Sequence, residues 1–186
     1  MSFSAAEPGQ AARTGVHPDR TSVPRQAEAA PEVDLTGRDF TVLALGSPAR
    51  SVAAAWAMRI EQAGATSWVS YANELNETVL HAFRERLTAA SVGWRLMLCG
   101  PETDVLRLRT EAVRAGAVPA EIRTYVTLTD RRDVYCAHCR HVTRADIAIG
   151  GQLTCGGCGL TLVCYHHFSR RLAAYLGYQA DAEEAA

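Results

Sequence analysis

Apolar residues from Phe40 onward follow two alternating patterns along the chain. Four short apolar runs have the length of strands, and they occupy residues 40–45, 66–71, 94–99 and 122–128. The segments between them carry apolar side chains at helical spacing, over residues 48–63, 77–90 and 104–115. In the second segment, Val79, Phe83 and Leu87 share one helical face. This repeated strand–helix order predicts a parallel sheet with right-handed crossovers, whose ligands would sit beyond the carboxyl ends of the strands.

Flanking residues indicate where the first and third helices begin and end. Ser47 is a candidate N-cap, and Pro48 suits the first helical position, where a backbone N–H is not needed. Gly64 and Gly116 follow the first and third helical segments and are candidate C-terminal stops.

The chain divides by composition into three parts. Residues 1–36 are rich in Ala, Pro, Arg, Glu, Ser and Thr and lack apolar periodicity. Such a segment buries too little surface to offset its ordering entropy, so it is predicted to be a disordered tail. Residues 37–130 hold the strand–helix repeats, and residues 131–186 form a separate cysteine-containing module. Residues 130–133, Asp-Arg-Arg-Asp, are interpreted as the hinge between them.

Bulk composition excludes several classes of protein. The 186 residues carry a net charge of −1 and are 48% hydrophobic, which suits one ordinary domain and a small module. No apolar run approaches the ~20 residues of a membrane span, and the balanced charge gives no general attraction to nucleic acid or membranes. All basic residues are arginine, which excludes a lysine Schiff base and a P-loop lysine. No signal peptide is recognised, so we expect a cytoplasmic protein.

Four cysteines in the last third of the chain form two Cys-x-x-Cys pairs. Cys136 and Cys139 make the first pair and Cys155 and Cys158 the second, with fifteen residues between the pairs. Two pairs at this separation are typical of a metal site, because each pair bends around one ion and four thiolates complete a tetrahedron. Two disulfides or four free thiols are the alternatives, which a reducing compartment disfavours.

The surrounding residues indicate the ion and the fold of the module. Zinc suits a closed site of four thiolates, and we expect it; iron in a rubredoxin-like site would use the same ligands. Zinc would make the module structural, whereas iron would make it an electron carrier. Glycines at 156, 157 and 159 suit the positive-φ backbone of a tight turn. Short strands within residues 146–153 and 160–165 predict a zinc-ribbon or rubredoxin-like fold, followed by a short helix over residues 169–178.

Three segments of the first half resemble the nicotinamide-binding domain of ferredoxin–NADP reductase-type enzymes. They are Ser-Tyr-Ala-Asn-Glu at 70–74, Phe-Arg-Glu-Arg-Leu at 83–87 and Leu-Cys-Gly-Pro at 98–101. The resemblance covers about residues 40–126 and implies that the cysteine of the Cys-Gly-Pro turn lies near nicotinamide and flavin. The candidate cofactor-binding residues that it gives are Gly46, Cys99 and Gly100.

The same half departs from that family where the nucleotide would bind. The loop after the first strand holds one glycine, Gly46, so side chains stand where phosphate oxygens would approach the backbone. Glu74 would repel a 2′-phosphate, and only the predicted tail precedes Phe40, where a flavin barrel would stand. The fold class expected is therefore α/β, a small parallel-sheet degenerate nucleotide-binding domain with a C-terminal four-cysteine module. Cys99 is expected to be a buried small hydrophobe.

A second resemblance covers about residues 135–181. The two cysteine pairs, the run Val-Cys-Tyr-His-His-Phe-Ser-Arg-Arg at 163–171 and Ala-Tyr-Leu-Gly-Tyr at 174–178 resemble the DmmA-like small subunit of dimethylamine monooxygenase, a haem-dependent oxidative N-demethylase. The resemblance implies a multi-subunit bacterial enzyme that uses O₂ and NAD(P)H to convert dimethylamine to methylamine and formaldehyde. The implied partners are a haem-bearing oxygenase subunit and a flavin/iron–sulfur reductase subunit.

We therefore expect an accessory subunit that assembles the catalytic chains or relays electrons between them. It would have no catalytic residue and would bind neither flavin nor haem alone. Aromatic and arginine side chains commonly anchor interfaces, and the interface candidates are Tyr165, His166, His167, Arg170 and Tyr175. Adjacent histidines in a strand would point to opposite faces and would not readily share one ion.

Two other classes of function stay open. A nucleic-acid-binding zinc ribbon would need a basic face, and the arginines near the cysteine pairs are Arg131, Arg132, Arg140 and Arg144, although the chain is neutral overall. A free-standing NAD(P)H-binding reductase component would need an intact nucleotide loop. Neither nucleic acid nor a membrane is an expected partner.

Overall fold

A computed structural model of the chain describes residues 21–181. Its first half follows the predicted order, with β1 (Asp39–Leu45), α1 (Ala49–Gln62), β2 (Thr66–Ala72), α2 (Glu77–Thr88), β3 (Trp94–Pro101), α3 (Glu102–Arg114) and β4 (Ile122–Leu128). The four strands form a parallel sheet in the order β2-β1-β3-β4. The mixed α/β fold and the parallel sheet are thus confirmed. No helix among residues 21–181 is long and apolar enough to cross a bilayer.

Buried apolar side chains cover both faces of this sheet. In the central strand β1, Leu43 and Leu45 pack with α2 and α3, whereas Val42 and Ala44 pack with α1 on the other face. Successive residues of a strand point to opposite faces, so a strand covered by helices on both sides is apolar throughout. This is why the strands appear in the sequence as continuous apolar runs.

Helix α1 begins one residue later than predicted. Pro48 occupies the N-cap position, no side chain caps the helix, and Ser47 lies before it. The predicted stops are confirmed, because Gly64 and Gly116 follow the C-caps of α1 and α3 with φ of 70° and 107°. These left-handed conformations favour glycine and let the chain turn back into the next strand.

The second half is a five-stranded sheet that holds the cysteines. Its strands are β5 (Arg131–Cys136), β6 (Val142–Asp146), β7 (Gln152–Thr154), β8 (Thr161–Ser169) and β9 (Ala174–Gln179). They lie in the order β6-β5-β9-β8-β7, with β5 and β9 parallel and the other pairs antiparallel. The hinge predicted over residues 130–133 was wrong for most of its length, because β5 already begins at Arg131.

The helix predicted over residues 169–178 was also wrong, because strand β9 occupies the second half of this segment and the first half is the turn from β8. Strand β9 pairs with β5 on one side and with β8 on the other, so its backbone bonds are satisfied in both directions. Gly177 permits the fit, since a Cβ there would lie 2.7 Å from Val134 Cγ1. Ala173, at φ 52°, precedes the strand. Pairing with strands that are distant in the sequence therefore decides the structure of this segment.

Residues 21–36 form no helix or strand, yet they contact both halves of the protein. Ser22 Oγ accepts a hydrogen bond of 2.7 Å from the Phe168 amide, and the Trp56 indole donates one of 2.9 Å to the Pro31 carbonyl. These contacts differ from the disordered tail predicted here. Val33 also packs against the core beside α1, and Val23 packs against that of the cysteine module, so isolated apolar residues and polar groups make contacts that a search for apolar periodicity passes over. Residues 1–20 of that prediction lie outside the described residues.

Candidate metal centre

The four predicted ligand cysteines lie together at the tips of two hairpins. Cys136 ends β5 and Cys139 lies in the connection from β5 to β6, while Cys155 and Cys158 lie in the connection between β7 and β8. All four sulfurs lie within 4.8 Å of one another, with Cys136 Sγ 3.9 Å from Cys158 Sγ and Cys139 Sγ 3.5 Å from Cys155 Sγ. Four thiolates about 2.3 Å from one ion would stand ~3.8 Å apart in a tetrahedron. The site therefore has the size of a tetrahedral thiolate centre.

The two hairpin turns share one backbone pattern. In the first turn, the Cys136 amide donates to the His141 carbonyl and the Arg140 amide donates to the Cys136 carbonyl, each at 2.9 Å. The corresponding bonds of the second turn, which begins at Cys155, measure 2.9 and 3.0 Å. The residue four positions after the first cysteine has positive φ in both turns, 66° at Arg140 and 74° at Gly159. The two turns thus present their cysteines to the centre in equivalent ways.

Only one of the three glycines predicted to supply positive φ does so. Gly159 has this conformation, whereas Gly156 and Gly157 do not. Gly157 is needed for a different reason, because a Cβ there would lie 2.6 Å from His141 Cβ and 3.1 Å from Cys139 Sγ. The missing side chain lets the two turns approach closely enough for four sulfurs to converge.

Substitutions at the equivalent positions Arg140 and Gly159 are expected to change stability in opposite directions. Arg140→Gly removes a strained left-handed conformation and should stabilise the metal-loaded protein by about 1 kcal/mol. Gly159→Ala imposes that strain and should destabilise it by about 1 kcal/mol. Denaturant unfolding of the metal-loaded chains measures both changes. A shift of the same sign in both variants would contradict the shared turn geometry.

Backbone amides favour the thiolate form at Cys155. The Gly157 N–H points at Cys155 Sγ from 3.4 Å, and together with the Cys158 N–H it lowers the pKa of Cys155 to about 6. The thiolate is the form of cysteine that binds metals. His138 and His141 are exposed and do not belong to the ligand group found among residues 21–181.

The predicted cofactor-binding residues have structural roles in this fold. Burial raises the pKa of Cys99 to about 12, and its thiol donates to the Ala49 carbonyl at 3.4 Å. The Gly46 amide, which would face a phosphate in a nucleotide loop, donates instead to the Ala72 carbonyl at 2.9 Å. A Cβ at Gly100 would lie 2.8 Å from Leu45 Cβ, so this glycine permits close strand packing.

A buried polar cluster, absent from the sequence predictions, joins the two halves. We call Gln26, Glu102, Arg132 and Tyr175 the junction cluster. Glu102 is 3% exposed, and its Oε1 accepts hydrogen bonds from Gln26 Nε2 at 2.9 Å and from the Tyr175 hydroxyl at 3.1 Å. Arg132 Nε lies 3.8 Å from Glu102 Oε2, and the guanidinium lies 5.5 Å from the centre of the Tyr175 ring. The cluster fixes β5 and β9 against the first turn of α3.

The junction cluster lies where a nicotinamide would be expected from the reductase resemblance. Glu102 follows Pro101 directly at the carboxyl end of β3, and Thr103 and Asp104 beside it are also buried. Arg144 of β6 reaches Asp104 at 3.4 Å, while burial raises the pKa of that carboxyl. The cysteine module therefore covers the end of the sheet where such sheets bind their ligands.

The predicted interface residues differ widely in their accessibility. Tyr165 and His166 are half-buried, and His167 and Arg170 are exposed. Tyr175 is 2% exposed and belongs to the junction cluster, so its assignment to an intermolecular interface was wrong. Its ring fills the chain's own core against Phe168, with centroids 5.1 Å apart.

The two adjacent histidines do not point to opposite faces of their strand, as predicted from a regular pleat. The pairing of β8 with β9 shifts register between Cys164 and Phe168. This irregularity breaks the alternation of side chains and brings the His166 and His167 rings to a centroid separation of 5.3 Å. The Tyr165 ring lies 3.8 Å from that of His166 and 5.0 Å from that of His167, so the three rings form one partly exposed group.

Comparison with known proteins supports the resemblance carried by the cysteines and the tail. Residues 133–178 match the family model described as the C-terminal domain of dimethylamine monooxygenase subunit DmmA-like proteins. The match begins in β5, ends in β9 and includes all four cysteines. The resemblance of this part of the chain to the DmmA-like small subunit is thus confirmed.

One curated relative is similar over a longer stretch. The chain is 43% identical over 98 residues to the haem-dependent oxidative N-demethylase delta subunit of Ectopseudomonas mendocina (strain ymp). The alignment covers 53% of this chain and 55% of the relative, so it spans about half of each protein. No solved structure matches the chain.

Proposed function

We propose that this chain is an accessory subunit of a multi-component, haem-dependent N-demethylase that converts dimethylamine to methylamine and formaldehyde in the cytoplasm. The observation that supports this most directly is the four-cysteine centre within a segment that matches the DmmA-like C-terminal domain. The similarity to a delta subunit of an oxidative N-demethylase adds support. The proposed partners are a haem-bearing oxygenase subunit and a flavin/iron–sulfur reductase subunit.

The role proposed for the chain within that complex is assembly rather than catalysis. Two hairpins that each present a Cys-x-x-Cys pair suit a zinc ribbon, and zinc would hold the module folded without redox chemistry. The junction cluster then fixes the module against the first half as one body. Iron in the same four thiolates would instead support electron relay.

Metal analysis of the freshly purified, reduced full chain distinguishes these roles. We expect a colourless protein with stoichiometric zinc. A red protein with a visible thiolate–iron absorption band would favour electron relay. Protein that holds no metal while folded would contradict the metal centre itself. Co-expression with the haem and reductase subunits, followed by affinity purification through this chain, tests the accessory role.

We expect weak or absent NAD(P)H binding by the isolated chain. The loop after β1 holds a single glycine whose amide is already bonded, Glu74 is exposed two residues after β2, and the module covers the start of α3. Isothermal titration calorimetry is the measurement, with a known NADPH-dependent reductase as the positive control. A dissociation constant in the low micromolar range, or about −8 kcal/mol, would contradict this prediction and favour a free-standing reductase component.

The arginines near the cysteine pairs favour the accessory role over nucleic-acid binding. Arg131 pairs with Asp146 at 3.0 Å, and Arg144 pairs with Asp133 at 2.7 Å. Arg132 is committed to the junction cluster. Carboxylates thus neutralise most of the basic face that a nucleic-acid-binding ribbon would need. A salt-dependent gel shift with full-length protein would reverse this preference.

A further inference from the structure

A second group of arginines lies where α3 meets the turn between β8 and β9. We call Arg109, Arg114, Arg170 and Arg171 the arginine surface. The first two belong to α3, and the other two follow β8 in the chain. Each half of the protein therefore contributes two of the four arginines, and the surface exists only when the halves are joined.

Hydrogen bonds hold the two sides of this surface together. The Thr110 hydroxyl donates to the Arg170 carbonyl at 2.8 Å, and Arg114 donates to the Arg171 carbonyl at 2.6 Å. Both accepting groups are backbone carbonyls, so the Arg170 and Arg171 guanidinium groups are not used by these bonds. A cleft of about 460 Å³ runs between the two sides, and Arg109 and Arg170 also line a neighbouring cavity of about 200 Å³.

Most arginines of the arginine surface have no carboxylate beside them to balance their positive charge. Within the part of the chain that the structure describes, no carboxylate lies within 4.0 Å of the side chains of Arg109, Arg170 or Arg171. Arg114 differs from these three, because its guanidinium lies 3.5 Å from Glu111 Oε1. Arg131 and Arg144 near the cysteines differ, because both already have carboxylate partners. Unpaired guanidinium groups around a cleft are suited to carboxylates from outside the chain.

Apolar side chains beside the arginines indicate what kind of partner brings those carboxylates. Val113 lines the cleft and is 41% exposed, and Leu172, next to Arg171, is 36% exposed. Arginine mixed with exposed aliphatic groups is typical of protein interfaces. No aromatic side chain lines the larger cleft, so it offers no platform on which nucleic-acid bases would stack.

We propose that the arginine surface binds an acidic segment of a partner subunit. This proposal rests on the proposed function and adds to it the place and chemistry of one contact in the complex. Because the surface spans both halves, the partner would recognise the joined form of the chain. Complementary charge would also make the contact dependent on ionic strength.

Charge reversal in the full chain is the first test. Arg109→Glu with Arg170→Glu should reduce recovery of the partner subunits on co-expression and affinity purification by about tenfold or more, since two like-charge contacts replace attractive ones. Arg59→Glu on α1, which is exposed and bonded to the Gln62 side chain, is the matched control and should assemble normally. Metal content should be unchanged in both variants, which shows that they fold.

The absence of lysine makes a second test direct. A water-soluble carbodiimide joins carboxylates to amines, and the unchanged chain offers only its terminal amine. Arg170→Lys keeps the charge and places one amine in the arginine surface, so it should give a new cross-link to an acidic peptide of a partner subunit. Arg59→Lys, treated in parallel, should give none.

The outcomes distinguish failure of the proposed function from failure of the acidic partner proposed for the arginine surface. Failure of the unchanged chain to co-purify with any of the subunits would overturn the proposed function, and the acidic partner with it. Normal assembly of the charge-reversed chain without the Arg170→Lys cross-link would overturn the arginine surface alone. A labelled single-stranded oligonucleotide that binds the unchanged chain, but not the charge-reversed one, would assign the surface to nucleic acid and overturn the acidic partner.

Discussion

Replacing Cys136 by serine is expected to remove the metal and to unfold the cysteine module. A serine hydroxyl is a poor substitute for the thiolate, and the three remaining sulfurs cannot close the tetrahedron. Structural zinc sites supply about 10–16 kcal/mol of apparent binding free energy at neutral pH, and a module of this size has little core of its own. Elemental analysis should find almost no metal. Circular dichroism should show the loss of strand signal from residues 131–181.

Cys164→Ala is the matched control for this prediction. Cys164 is buried in the same module, and burial raises the pKa of its thiol to about 11, but its sulfur is not part of the metal group. Its replacement should leave the metal in place and cost about 1 kcal/mol of stability. Metal that survives Cys136→Ser would show that the four sulfurs do not act as one site.

Replacing Glu102 by alanine is expected to destabilise the protein by about 3–5 kcal/mol. The change leaves the Arg132 guanidinium, 13% exposed, without its carboxylate, and Tyr175 and Gln26 lose their shared acceptor. Removing one member of a buried ion pair has this cost because the other charge stays uncompensated. Denaturant unfolding, followed by tryptophan fluorescence and by metal release to a chelator, measures the effect. In the unchanged chain, tryptophan fluorescence and metal release should change at the same denaturant concentration. In the variant, metal release should occur at a lower denaturant concentration than the change in fluorescence.

Glu77→Ala serves as the control for Glu102→Ala. Glu77 is 82% exposed and lies 3.6 Å from Arg107, so its loss should cost less than about 1 kcal/mol. Equal destabilisation by the two substitutions would mean that the junction cluster contributes no more than a surface pair. Coincident fluorescence and metal-release transitions in Glu102→Ala would show that the two halves stay coupled without it.

The parts of the fold that the sequence predicts well depend on local patterns. The parallel sheet follows from apolar runs that alternate with helical spacing, and its strands lie where those runs stand. The metal ligands follow from spacing alone, since Cys-x-x-Cys forces two sulfurs to one side of a tight turn. Gly64 and Gly116 mark helix ends because their backbone conformation is intrinsically suited to glycine.

The predictions that failed depend on contacts between distant residues. Strand β9 was predicted as part of a short helix, but pairing with β5 and β8 decides its structure. Tyr175 was assigned to an interface because a short module was not expected to bury its aromatic side chain. It is buried within the chain itself, where its hydroxyl donates to Glu102, 73 residues earlier in the sequence. The register shift in β8, which brings His166 and His167 together, has no sequence signal that we recognise.

The last strand of the chain, β9, lies between β5 and β8 in the middle of its sheet, and this bears on the order in which the fold can form. Both cysteine pairs leave the ribosome before β9 does, so the two hairpins can take up their ion while the central gap of their sheet is still open. Glu102 comes earlier still in the chain, and it lacks its hydrogen bond from the Tyr175 hydroxyl until β9 is in place. Arrival of β9 fills the gap and closes the junction in one step. The order of the elements along the chain thus allows the metal centre to form before the two halves take up their final arrangement, and the arginine surface is completed only with that arrangement.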